Sequence, residues 1–253
     1  MSADFGYINA RVRGMKSKLL GPEFYTQAVA DSNFRAFVGT FGQTPYGAQL
    51  GEVPGAEASL GAIDRAIAEN FRRSARGMLN FSDGRAHELI AIFLLSYDLM
   101  NLKALARAKH AGRSMEDVRD SLMPAGELKP ALLETLGAAA DLPAMAQALA
   151  VTGHSLSPAF GRATRRYAAE GSLLDFEVEL DKAYYATLLE KLEEADAGKE
   201  LMRHAQRMID AVNLSTALKV RGRGTSAQEY FLPGGKEIDR STFEAIAGDT
   251  SPA

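Results

Sequence analysis

Asp98-Leu-Met-Asn101-Leu102, followed by Arg107, Lys109 and Gly112, decides how the chain is read, because the pattern occurs twice. The second copy is Asp210-Ala-Val-Asn213-Leu214, followed by Lys219, Arg221 and Gly224. The two lie 112 residues apart, and Ser114 and Ser226 follow at the same offset. Downstream, Leu122-Met-Pro124-Ala-Gly126 answers Phe231-Leu-Pro233-Gly-Gly235. Upstream, Ile63-Asp64-Arg65-Ala66 answers Leu180-Asp181-Lys182-Ala183. Landmarks in the same order with slightly unequal gaps mark an internally duplicated fold, and a duplication governs every later assignment. Only 43 residues follow Asp210, against more than a hundred between the two copies, so the last repeat is expected to be truncated.

The pattern between the landmarks is helical. Apolar residues recur at helical spacing among charged ones, and alternating β-branched runs are almost absent. Helices are expected over 7–20, 23–29, from caps at Asp31-Ser32 to about Phe41, 63–79, 85–111, 115–121, 129–137, 144–151, 157–169, 173–195 and 197–219. Residues 42–61, with Pro45, Pro54 and several glycines, read as a loop. Gly112 stands where a left-handed residue usually ends a helix. The run Leu89–Leu95 is apolar on all sides, which marks a buried segment. At seven residues it falls far short of the roughly 20 that a membrane-spanning helix needs. Any link to a membrane is therefore expected to pass through a partner.

Composition narrows the function classes. The 253 residues carry 24% charged and 46% hydrophobic side chains, an ordinary globular balance. A net charge of -3 gives no support for a nucleic-acid binder. Without cysteine there is no disulfide, no thiolate metal site and no thiol nucleophile, which suits a reducing compartment. Met1-Ser-Ala-Asp-Phe-Gly has neither the basic nor the apolar region of a signal peptide.

Motifs that would carry chemistry break on inspection. Gly234-Gly235-Lys236 resembles the end of a phosphate loop, but Tyr230 stands where the first glycine belongs and Glu237 where a magnesium-binding hydroxyl belongs. Gly222-Arg-Gly224 begins a dinucleotide fingerprint that Ala227 breaks. His87-Glu88 lacks the second histidine of a zinc helix, and His110, His154 and His204 stand alone. No catalytic, cofactor or metal residue is assigned.

The sharper candidates are the repeated residues. Asp98 and Asn101, like Asp210 and Asn213, are three apart and share one helix face. Entering a partly buried junction, each pair needs partners, and the expectation is that it ties its helix to a neighbouring repeat. The basic pairs Arg107/Lys109 and Lys219/Arg221 suit helix C-termini through the helix dipole, or else meet an acidic partner. On the first helix, Arg11 and Lys18 share one face while Arg13 and Lys16 share the opposite one. They therefore form no single phosphate-tracking stripe.

At this point the chain resembles a known family: the C subunits of the prokaryotic V/A-type ATPase/synthases, with the d subunit of the vacuolar enzyme. The resemblance rests on Tyr7-Ile-Asn-Ala-Arg-Val-Arg13, Thr44-Pro-Tyr-Gly47, Tyr97-Asp98-Leu-Met-Asn101-Leu102 through Lys109, Asp210-Ala-Val-Asn213-Leu214 and Phe231-Leu-Pro233-Gly-Gly235. It implies an all-α funnel of three pseudo-threefold repeats, here 1–60, 61–175 and an incomplete 176–253. Lys16, Lys18 and Gly21 would be the faint first copy of Arg107, Lys109 and Gly112. It further implies a non-catalytic central-stalk component without cofactor, which links the central shaft to the cytoplasmic loops of the membrane rotor ring. Such a component lies peripherally on the cytoplasmic face and carries torque for ion transport. Candidate partner contacts are Arg11, Arg13, Arg107, Lys109, Arg221 and Arg223, since rim charges suit reversible docking. A helical repeat scaffold unrelated to an ATPase, and an enzyme with a deep pocket of convergent acids or bases, are the other classes weighed.

Overall fold

The computed structural model describes residues 5–31, 33–51, 59–221 and 227–248; among these every regular element is helical. In chain order they are α1 (Gly6–Lys16), α2 (Pro22–Ala30), α3 (Phe34–Gly42), α4 (Gly47–Gly51), α5 (Leu60–Asn80), α6 (Gly84–His110), α7 (Met115–Val118), α8 (Pro130–Ala138), α9 (Leu142–Ala150), α10 (Ser157–Glu170), α11 (Leu173–Glu194), α12 (Lys199–Val220) and α13 (Arg240–Gly248). Short 3-10 turns cover Arg119–Ser121 and Ala227–Tyr230. The chain packs as two units, Met1–Ile90 and Ala91–Ala253, with the boundary inside α6. These are units of packing, a different division from the repeats expected at 1–60, 61–175 and 176–253.

In the first unit, Phe41, Ile63 and Ala66 form a buried cluster against Phe24, Phe37, Val38, Tyr46 and Leu50. The expected loop at 42–61 contains α4. Tyr46 and Leu50, one turn apart, pack on that cluster, and Gln49 pairs with Asn70 at 3.0 Å. Tertiary burial thus holds a five-residue helix that propensity alone would not form. Residues 52–58 lie outside the description, as does the expected cap Ser32; Asn33 instead caps α3 by accepting from the Ala36 N–H at 3.0 Å. Helix α1 ends at Lys16, before the expected Leu20.

In the second unit, α10 and α11 meet through Phe160 and Phe176, edge to face at 5.1 Å. Helices α12 and α13 share a cluster of Ala217, Val220, Phe231, Phe243 and Ala247. Ser114 and Asp117 form a reciprocal capping box on α7, while Asp141 and Ser172 cap α9 and α11. The expected helix 115–121 splits into α7 and the following 3-10 turn. The break near Asp196-Ala-Gly198 is made by positive φ at Asp196 (44°) and Gly198 (82°). Gly112 (φ 65°) ends α6 in a Schellman arrangement: the Arg113 N–H donates to the Ala108 carbonyl and the Gly112 N–H to that of Lys109.

Helix α6 is, by length and composition, apolar enough to cross a membrane, but half of its most apolar stretch is buried within the protein. Asp98 and Asn101 on it are 0% and 1% exposed. It is built as a core helix.

Candidate functional site

Each repeated Asp–Asn pair closes a clasp on the Pro-Gly turn that follows it. In the first, the Asn101 side-chain N–H donates to the Met123 carbonyl (2.8 Å) and its oxygen accepts from the Met123 N–H (2.7 Å). The Asp98 carboxylate accepts from the N–H groups of Glu127 (2.8 Å) and Leu128 (3.0 Å). In the second, Asn213 makes the same two bonds to Leu232, both 2.8 Å. Asp210 accepts from the N–H groups of Lys236 (3.1 Å), Glu237 (3.0 Å) and Ile238 (3.0 Å). The amide reads both backbone groups of the residue before proline, and the acid gathers those after glycine. Each pair therefore ties its helix to the turn of its own copy. The expected tie to a neighbouring repeat is corrected, because these bonds run to the turn of the same copy.

The turns admit this only because they carry glycine. A Cβ on Gly126 would sit 2.4 Å from both Asp98 oxygens, and one on Gly235 would sit 2.2 Å from Asp210 Oδ1. The false phosphate-loop signal also has a physical basis. Successive N–H groups at 236–238 converge on one anion, as in a phosphate nest, and that anion is the protein's own Asp210.

The copies differ in one donor. His154, isolated in sequence, is 5% exposed and stands 3.2 Å from Asp98 through Nε2. The Leu156 N–H donates to its Nδ1, so the proton lies on Nε2 and is given to Asp98. Where the second copy uses a third backbone N–H, the first uses this imidazole.

The basic candidates are dispersed. Arg107 forms a two-pronged bond to Glu177 on α11 (2.6 and 2.7 Å), which holds its guanidinium charged above its ordinary range. At this exposed site the pair contributes at most about 1 kcal/mol. Beside it, Lys103 meets Asp181 at 2.7 Å. Burial still pushes the Asp181 carboxyl above its ordinary range, so desolvation offsets much of that attraction. Lys109 donates to the Gly137 carbonyl at 2.6 Å, complementing the C-terminal end of α8 and not that of its own helix. Arg11 lies over the Phe81 ring at 4.5 Å. Arg13 is exposed in the last turn of α1, and Arg221 follows α12 partly covered. Arg223 and Gly224 lie outside the described residues.

Among the described residues no cluster of three or more His, Asp or Glu side chains could hold a metal. An open cleft of about 500 Å³ lies at the α11–α12 turn, lined by Glu193, Asp196, Lys199 and Arg203 among others. It mixes acids with bases.

Residues 8–253 match the family described as ATP synthase (C/AC39) subunit. The chain is 36% identical over 250 residues to the C subunit of the V-type ATP synthase of Deinococcus radiodurans, covering 98% of itself and 69% of that relative. Identity to the C subunit of the V-type ATP synthase of Thermus thermophilus is 35% over 251 residues, with 97% and 72% covered. To the C subunit of the A-type ATP synthase of Haloferax volcanii it is 28% over 252 residues, with 97% and 70% covered.

Proposed function

The chain belongs to the ATP synthase (C/AC39) subunit family, and from that premise we propose that it is the non-catalytic socket of a V/A-type ATP synthase or ATPase. In this role it receives the foot of the central shaft, sits on the cytoplasmic loops of the membrane rotor ring and passes torque between them. It binds no nucleotide and lies peripherally on the cytoplasmic face of the membrane. A funnel of three repeats, over 1–60, 61–175 and 176–253, is part of the same proposal.

The observation that carries the reading is the family match over residues 8–253. The two clasps support it mechanically. A part that transmits torque must resist shear between consecutive helices, and each copy pins its turn to its long helix with four or more buried or partly buried hydrogen bonds. Since Arg107 and Lys109 are engaged within the chain, Arg13 is the better partner candidate, with Arg11, Arg221 and Arg223 kept beside it.

The test is affinity capture of the tagged chain from detergent-solubilised membranes of its source, read by mass spectrometry. The proposal expects the central-shaft and rotor-ring proteins to be recovered together. It also expects Arg13→Glu to lower that recovery without changing the melting temperature, through lost charge steering. Recovery of neither defeats the socket reading and favours an unrelated helical scaffold.

A further inference from the structure

The turn after α12 holds the carboxylate of Asp210 as a binding site holds a ligand. Oδ2 accepts from the N–H groups of Lys236 (3.1 Å) and Glu237 (3.0 Å), and Oδ1 accepts from that of Ile238 (3.0 Å). Consecutive backbone donors thus converge on one two-oxygen anion, the geometry of an anion nest. These donors do not belong to a helix N-terminus. Helix α13 begins at Arg240 and has its own cap, Asp239, which accepts from the Thr242 N–H at 2.8 Å. The first copy repeats the design on Asp98 with the N–H groups of Glu127 and Leu128, so the arrangement belongs to the repeat.

The shape of the nest depends little on Asp210 itself. Before the glycines, Asn213 fixes Leu232 through both of its backbone groups. Phe231 lies in the cluster shared by α12 and α13, and Ile238 packs against that cluster from the other end of the turn. Both ends of the turn are therefore anchored by contacts that do not pass through the acid. Removing the Asp210 carboxylate leaves its donors aimed at a space of the size of the lost group. That space lies close to water, because Pro233, Gly234, Lys236 and Glu237 are exposed. Its inner wall is apolar: a Cβ on Gly235 would stand 3.4 Å from Ile209 Cγ2.

We propose that residues 235–238 form a carboxylate-binding site in their own right, with Asp210 as its tethered ligand, so that a small free carboxylate occupies the site when that side chain is removed. This goes beyond the socket reading and does not depend on it. The geometry selects the ligand class. Two donors on one oxygen and one on the other suit two oxygens on a single flat carbon. The backbone of Gly235 lies so close to Oδ1 that a Cβ there would collide with it. That leaves no space on this side for the further oxygens of a tetrahedral phosphate.

The experiment is thermal unfolding of the full chain, followed by circular dichroism, in sodium formate, acetate, phosphate or chloride at equal ionic strength. Asp210→Ala keeps the Cβ, so the space it leaves matches formate. Saturating formate is expected to raise the melting temperature of this variant by about 3 °C or more over chloride, beyond any change in the parent chain. Acetate, one carbon longer, should do less. Asp210→Gly should reverse that order, since acetate replaces the whole side chain. Adding Gly235→Ala to Asp210→Ala puts a methyl group where Oδ1 stood and is expected to abolish the formate effect. If Asp210→Ala is unfolded in chloride, recovery of its helical signal in formate serves as the readout. The proposal is overturned if formate neither stabilises nor recovers Asp210→Ala beyond its effect on the parent, or if the effect survives Gly235→Ala. It is overturned equally if acetate fails to overtake formate in Asp210→Gly, or if phosphate matches formate in Asp210→Ala, which would mark a general effect of anions.

Discussion

Asp98→Ala lowers the unfolding free energy by about 4 kcal/mol. The carboxylate is 0% exposed and accepts from the N–H groups of Glu127 and Leu128 and from His154 Nε2. Truncation to alanine removes the acceptor and leaves these donors in place, and each buried, unsatisfied donor costs about 1–3 kcal/mol. Partial solvation of the turn, whose Glu127 side chain is exposed, keeps the total near the lower end of that sum. Against a typical total stability of about 5–15 kcal/mol the loss is large. Urea denaturation measures it as a fall in midpoint at constant slope. Asp98→Asn keeps the shape but can face only one donor with an oxygen, so it should recover less than half of the loss. A loss below about 1 kcal/mol for Asp98→Ala would mean that the clasp is not a stability element.

Gly126→Ala destabilises by about 3 kcal/mol, and most of that cost depends on Asp98. The added Cβ would overlap both carboxylate oxygens at 2.4 Å, a distance real contacts do not show. Either the acid leaves its backbone donors or the turn shifts away from α6, and both open the clasp. Once Asp98 is alanine the obstacle is gone, so Gly126→Ala should cost under about 1 kcal/mol in that background. The double-mutant cycle therefore carries a coupling of about 2 kcal/mol. Strict additivity would show that the glycine is needed for another reason. Gly235→Ala and Asp210→Ala form the matching cycle in the second copy, where the Cβ would stand 2.2 Å from Asp210 Oδ1.

The helices were largely legible, because 3.6-residue periodicity and capping residues are local signals. Most ends fell within two residues, as for α11 and α12. Helix α4 was not legible: Pro45 and nearby glycines signal a loop, and the Tyr46 and Leu50 contacts that stabilise it are tertiary. Helix α13 did leave a signal that was passed over. Asp239 accepts from the Thr242 N–H at 2.8 Å as a cap, and Phe243 and Ala247 follow one turn apart on one face.

The clasp was half legible. The repeat marked Asp98, Asn101, Asp210 and Asn213 and the two Pro-Gly turns as belonging together. It could not say that each side chain reaches its own turn, because that depends on how the chain folds back after Gly112. Gly126 and Gly235 were landmarks without a reason, since the absence of a Cβ has meaning only once a carboxylate lies against it. His154 had no counterpart to flag it, because the second copy satisfies its carboxylate with a third backbone N–H instead of an imidazole. The basic pairs show the reverse case. Their spacing repeats, yet Arg107 and Lys109 serve two different elements, α11 and α8.

The central claim is that one buried carboxylate in each copy locks a turn to a long helix. Native-state amide hydrogen exchange tests it most directly. The N–H groups of Glu127, Lys236 and Glu237 belong to residues with exposed side chains outside any helix, and would ordinarily exchange fast. The account predicts that these amides, with those of Leu128 and Ile238, are slowed by about a thousandfold or more. It also predicts that Asp98→Ala releases only the pair at 127 and 128. Exchange of all five at the rate of open loops in the parent protein would contradict it.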